Sequence, residues 1–134
     1  MGATLAYSQN NAPSIILNKF IEANNSGTAN AFSTFVKETY EPGLYNKIDV
    51  QKHIDFYAMI QNDFGKLKPL VYKQVEETPH RLVVLLIKEH ESLSNKNIDP
   101  TEILMVEIDL NQQNPKYLGR ALGLGALACE LKKK

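Results

Sequence analysis

The chain has 134 residues, 15 Lys plus Arg against 15 Asp plus Glu, 43% hydrophobic residues, one Cys and no Trp. A single domain of this size buries roughly two-thirds of the surface its unfolded chain exposes, so it needs neither a disulfide nor a structural metal to fold. A formal net charge of zero excludes the basic excess of a protein that tracks phosphates, and no nucleic-acid partner is expected.

Cys129 stands alone, and His53, His80 and His90 are isolated from one another, so no metal and no cofactor is expected. The longest purely apolar run, Leu82 to Ile87, falls far short of the roughly 18 to 20 residues of a membrane span. Residues 1–12 read as a disordered leader or as a signal-peptide remnant, on the small-residue segment Ala3-Thr4-Leu5-Ala6-Tyr7-Ser8-Gln9. The first alternative implies a cytoplasmic protein and the second a periplasmic or secreted one. Residues 13–134 read as one domain.

The polarity pattern changes period once, from helical to alternating. A first helix begins at Asn11-Ala12-Pro13, where a missing N–H is harmless, carries Ile16, Phe20 and Ala23 with Leu17 and Ile21, and ends at Asn24-Asn25-Ser26-Gly27. Thr28 caps a second, with Phe32, Phe35, Val36 and Tyr40 on one face before Glu41-Pro42-Gly43. Asp49 caps a third, whose stripe is Val50, His53, Ile54, Tyr57, Ala58 and Phe64, closed by Gly65.

Strands follow from Leu67 onward. Leu70-Val71-Tyr72-Lys73-Gln74-Val75 forms the first, and Thr78-Pro79-His80 turns into the second. Leu82 to Ile87 is apolar on both parities and calls for cover on both faces, helices on one and a partner subunit on the other. After the polar loop Ser92 to Pro100, the third strand, Glu102 to Leu110, sets Leu104, Val106, Ile108 and Leu110 opposite Ile103, Met105, Glu107 and Asp109. The turn Gln112-Gln113-Asn114-Pro115 leads to a fourth, Lys116 to about Leu124, whose Gly119 and Gly123, with Gly125 beyond, indicate sheet curvature. Three helices followed by an antiparallel four-stranded meander make an α+β fold with the helices on one face.

The segments Phe20 to Gly27, Asp63-Phe64-Gly65, Thr78-Pro79-His80-Arg81 with the apolar strand after it, and Ile108-Asp109-Leu110 with Asn114 to Leu118 give the chain a resemblance. It resembles the nuclear transport factor 2-like (SnoaL-like, cystatin-like cone) superfamily, in particular the accessory domains attached to bacterial serine hydrolases. That resemblance implies a strongly curved sheet wrapped around the helices as a cone, an apolar pocket, and commonly a homodimer through the outer sheet face. Two features depart from it: the usual strand between the second and third helices shrinks to a piece around Leu44-Tyr45-Asn46, and the apolar segment Gly125 to Leu131 is additional.

No Ser-x-x-Lys, Gly-x-Ser-x-Gly, phosphate-binding Gly-rich loop or His-Glu-x-x-His occurs. The candidate ligand-binding residues are His53, Tyr57, Tyr72 and Arg120. His53 on an apolar helix face is either a satisfied boundary histidine or an acid–base group. Tyr57 and Tyr72 are either core residues or hydroxyl donors in an apolar pocket. Arg120, among Leu118, Leu122 and Leu124, needs an acceptor, either a ligand carboxylate or an internal ion pair. The leading expectation is a noncatalytic domain that binds a small apolar or amphipathic ligand or serves as an interaction module. The alternative is an enzyme of the ketosteroid isomerase or polyketide cyclase kind, with His53 as catalytic base and Tyr57 or Tyr72 as oxyanion donors.

Overall fold

Each long helix forms where an apolar stripe lies between recognisable stop signals. The computed structural model describes residues 12–70, 76–77, 80–92 and 97–128. Helix α1, Ala12–Ser26, buries Ile16, Leu17, Phe20 and Ala23 and ends at Gly27, whose φ of 71° suits a residue without Cβ. In α2, Ala29–Thr39, the Thr28 hydroxyl accepts the Ala31 N–H at 3.1 Å, and Phe32, Phe35 and Val36 are buried. Asp49 accepts the N–H groups of Gln51 and Lys52 to start a later long helix, Val50–Phe64, which closes at Gly65. Ile60, not Ala58, completes the buried stripe of that helix with Ile54, Tyr57 and Phe64, and Ala58 faces outward.

Between these two helices the expected strand piece at Leu44-Tyr45-Asn46 is instead a short helix, α3, Pro42–Tyr45, which makes Val50–Phe64 helix α4. Pro42 supplies a helical φ without an N–H to satisfy, and the Glu41 carboxylate accepts the Leu44 N–H at 3.1 Å.

The sheet consists of β1 (Leu67–Pro69), β2 (Glu76–Glu77), β3 (Arg81–Lys88), β4 (Ile103–Asp109) and β5 (Gly123–Ala126). Both β1 and β2 pair antiparallel with β3, Pro69 opposite Leu86 and Glu76 opposite Val83, so they lie end to end along one edge. The sheet is therefore four strands wide, antiparallel throughout, with β3, β4 and β5 paired in succession. The fold is α+β with helices on one face. The sheet is open and not strongly curled, so the expected cone is not formed. Residues 71–75, which include Tyr72 and most of the expected first strand, lie outside the described residues, as do Cys129 to Lys134 and residues 1–11 of the expected leader, whose residue 12 opens α1.

Register explains why both parities of β3 are apolar. Leu82, Val84 and Leu86 face Ile108, Val106 and Leu104 across the ladder, and all six pack beneath the helices. On the other face Val83, Leu85, Ile87 and Ile103 are also buried, the last three in a cluster with Leu70, Ile98, Met105 and Leu127. The cover expected from a partner subunit thus comes from the chain's own loops and from the segment after β5, the additional apolar piece noted in the sequence.

The expected fourth strand is shorter than its alternation implies. Leu118 makes isolated bridges to both Tyr40 and Leu110, its N–H donates to the Thr39 carbonyl at 2.7 Å, and Gly119 N–H donates to Asp109 at 2.8 Å. Backbone groups committed in these directions cannot extend a ladder, and regular pairing begins only at Gly123. The glycines there answer to close approach more than to curvature. A Cβ at Gly119 would lie 3.1 Å from the Leu110 carbonyl oxygen, and one at Gly123 would lie 2.8 Å from a carboxylate oxygen of Glu107.

One side chain ties the helical layer to the sheet edge. Asn25 accepts the Leu67 N–H at 2.8 Å and donates to the Leu67 carbonyl at 3.0 Å, imitating a strand neighbour, while Asn24 donates to the Gly65 carbonyl at 2.9 Å. Replacing Asn25 with Ala leaves two backbone groups of Leu67 without partners. We expect a loss of about 1–3 kcal/mol in urea unfolding, and an unchanged midpoint would contradict the clamp.

Candidate functional site

The end of α2 and the turn before β5 bring three tyrosines together. Tyr40 follows the last residue of α2, Tyr45 ends α3, and Tyr117 closes the turn that Asn111 organises by accepting the N–H groups of Gln113 and Asn114. Lys37, Pro42 and Asn46 join these three around an open groove of about 300 Å³, with the almost fully buried Tyr40 as its floor. The ammonium of Lys116 lies over the Tyr117 ring, 5.4 Å from its centre.

Beneath the groove runs a chain of polar contacts. The Tyr40 hydroxyl lies 2.5 Å from that of Tyr57 and 2.9 Å from Nδ1 of His53, whose ring stands edge-on to Tyr40. Tyr57 sits among Phe20, Phe32 and Phe35. Its oxygen accepts the Leu122 backbone N–H, which can only donate. The two hydroxyls and the imidazole are thus linked in one chain, with Tyr40 between Tyr57 and His53. Burial pushes the Tyr57 hydroxyl well above the usual tyrosine range, the neighbouring Tyr40 adds to this, and the Leu122 N–H opposes it. Burial raises Tyr40 as well, against the hydrogen bond from Tyr57.

Of the residues singled out in the sequence, His53 and Tyr57 are thus joined, through Tyr40, which the sequence shows only as the last member of an apolar stripe. Tyr72 lies outside the described residues. Arg120 lies elsewhere and on no strand. It is 64% exposed, and its Nε donates to Asp109 at 2.9 Å, the internal ion pair among the two readings. The centre of that cluster is Arg81, directly opposite Asp109 in the ladder, which donates to both Asp109 oxygens at 2.8 and 2.7 Å and to Glu107 at 2.7 Å. Among the described residues no group of three or more His, Cys, Asp or Glu side chains could hold a metal ion, and no helix is long and apolar enough to cross a membrane.

No family model, curated protein or solved structure matches the chain. An oxyanion donor needs a hydroxyl directed at a substrate, whereas the Tyr57 hydroxyl is spent on Tyr40 and the Leu122 N–H, and that of Tyr40 on Tyr57 and His53. The groove itself is lined by aromatic rings, a cation and a side-chain amide.

Two outcomes follow. Tyr40→Phe removes the shared partner of a buried hydroxyl and a half-buried imidazole, and should cost about 1–3 kcal/mol in urea unfolding. A double-mutant cycle with Tyr57→Phe should give a coupling of at least about 0.5 kcal/mol; strict additivity would refute the chain. Burial opposes ionisation of Asp109, but the Arg81 hydrogen bond and the charges of Arg120 and Arg81 outweigh it, holding the carboxyl below the usual carboxylate range. Its folded pKa lies under its unfolded one, so this contribution is present above that value and is lost as pH falls through the folded pKa. The stability deficit of Asp109→Asn at neutral pH should therefore shrink below roughly pH 4, measured as urea midpoints across the acid range.

Proposed function

We propose that the chain is a noncatalytic binding domain that holds a small amphipathic ligand in the groove between the end of α2, α3 and the turn at Tyr117. The observation that carries this reading is the convergence of Tyr40, Tyr45 and Tyr117, from three separate elements, on one groove with Lys37 and Asn46 at its margin. Aromatic rings supply contact area at low entropic cost, and a few polar groups orient what lies on them. The isomerase-like alternative would draw on the His53, Tyr40 and Tyr57 chain, but its hydroxyls satisfy one another and leave none for a substrate oxygen.

The order of helices followed by an antiparallel meander supports a relation to the nuclear transport factor 2-like superfamily. In this reading the ligand does not sit inside a cone, because Phe20, Phe32 and Tyr57 occupy the space beneath the helices. A homodimer through the outer sheet face is not required, since Leu70, Ile98 and Leu127 already pack there.

Titration of isotope-labelled protein with naphthol, an uncharged amphipathic probe, tests the reading by amide chemical shifts. Saturable shifts centred on Tyr45, Asn46 and Tyr117, abolished by Tyr117→Ala, are expected. Shifts confined to another surface, or none at millimolar probe, would overturn it.

A further inference from the structure

We infer that the ligand of this groove is an aromatic acid whose ring lies on Tyr45 and Tyr117 and whose carboxylate meets Lys37; the inference rests on the binding reading above. A basic residue in the last turn of a helix often serves the free carbonyls there, but three carbonyls at the end of α2 are served by other groups. The Tyr40 N–H donates to Val36 at 3.0 Å, the Leu118 N–H to Thr39 at 2.7 Å and the Thr39 hydroxyl to Phe35 at 2.6 Å.

Nearby carboxylates are also engaged elsewhere. Glu38 faces Lys19 at 3.8 Å, and Glu41 caps α3 through the Leu44 N–H. Among the described residues, no carboxylate pairs with Lys37. Lys116 over the Tyr117 ring adds a second positive charge beside the groove. Two cations that pair with no carboxylate among the described residues, flanking aromatic walls, complement a ligand that is planar and apolar over most of its area and anionic at one edge. A volume of about 300 Å³ is at the small end for ligand sites and fits one or two fused rings.

The test compares naphthoate with naphthalenecarboxamide, which has nearly the same shape and no charge, by amide chemical shifts. Naphthoate should bind about fivefold more tightly at low salt, as expected for one exposed charge pair. That preference should disappear in Lys37→Gln, a change at an exposed position, and should shrink in molar salt. Equal binding of both probes at Tyr45 and Tyr117 would overturn the acid inference and leave the binding reading standing. A preference surviving in Lys37→Gln would overturn the assignment of Lys37. Failure of both probes and of naphthol would overturn the binding reading itself.

Discussion

A phenol carried into a protein interior has to find partners for its hydroxyl, and in this fold that requirement is concentrated on Tyr40. Its ring is buried, its hydroxyl lies between Tyr57 and His53 of α4, and its backbone forms a bridge with Leu118. One residue thereby fixes the end of α2 against α4 and draws in the segment between β4 and β5. The groove is a consequence of that arrangement. Tyr117 reaches the margin of α3 because Leu118 is held to Thr39 and Tyr40, and Leu118 can be held there because α2 stops where it does. A shift of Tyr40 would disturb the hydrogen-bond chain and the groove floor together.

The opposite side of the molecule obeys a different constraint. A strand that is apolar on both faces must be covered twice, and here the second cover is assembled from Leu70, Ile98 and Leu127, residues far apart in the chain. This outer surface becomes polar toward one end of the ladder. Arg81 bridges Asp109 and Glu107, Arg120 joins from the turn, and Gly123 leaves the space over which Glu107 lies. Arg81, Glu107 and Asp109 remain more than a quarter exposed and Arg120 is 64% exposed, so the value of the cluster is moderated by solvent. Its clearer contribution is register: a one-residue slip of β3 against β4 would move Arg81 away from both carboxylates and turn buried leucines outward.

Much of this was legible in the sequence where a local signal carries the information. Thr28, Asp49 and Gly65 act as caps in the positions their chemistry indicates, and the alternation in β4 sorts Leu104, Val106 and Ile108 onto the helix-facing side. Local signals fail where a distant group claims the backbone. Leu118 and Gly119 alternate like a strand but donate to Thr39 and Asp109, and Pro42 starts a helix in a segment whose side chains suit either form. The outer cover was not legible, because single apolar residues in loops have no period. Arg81 was not singled out because its importance depends on lying opposite Asp109, a fact of register.

The candidate site shows the same division. His53 and Tyr57, four residues apart, lie on one helical face by spacing alone, but their connection depends on Tyr40, brought in by the packing of α2 on α4. The available signal was chemical: Tyr at a stripe position where Phe would fill the same space requires a polar partner. That partner being Tyr57, with Leu122 beyond it, bears directly on function. Both hydroxyls are engaged within the protein, Tyr57 with Tyr40 and the Leu122 backbone, Tyr40 with Tyr57 and His53. The groups that line the groove above the chain, the rings of Tyr45 and Tyr117 and the ammonium of Lys37, come from α2, α3 and the turn before β5, so their placement follows from the same packing.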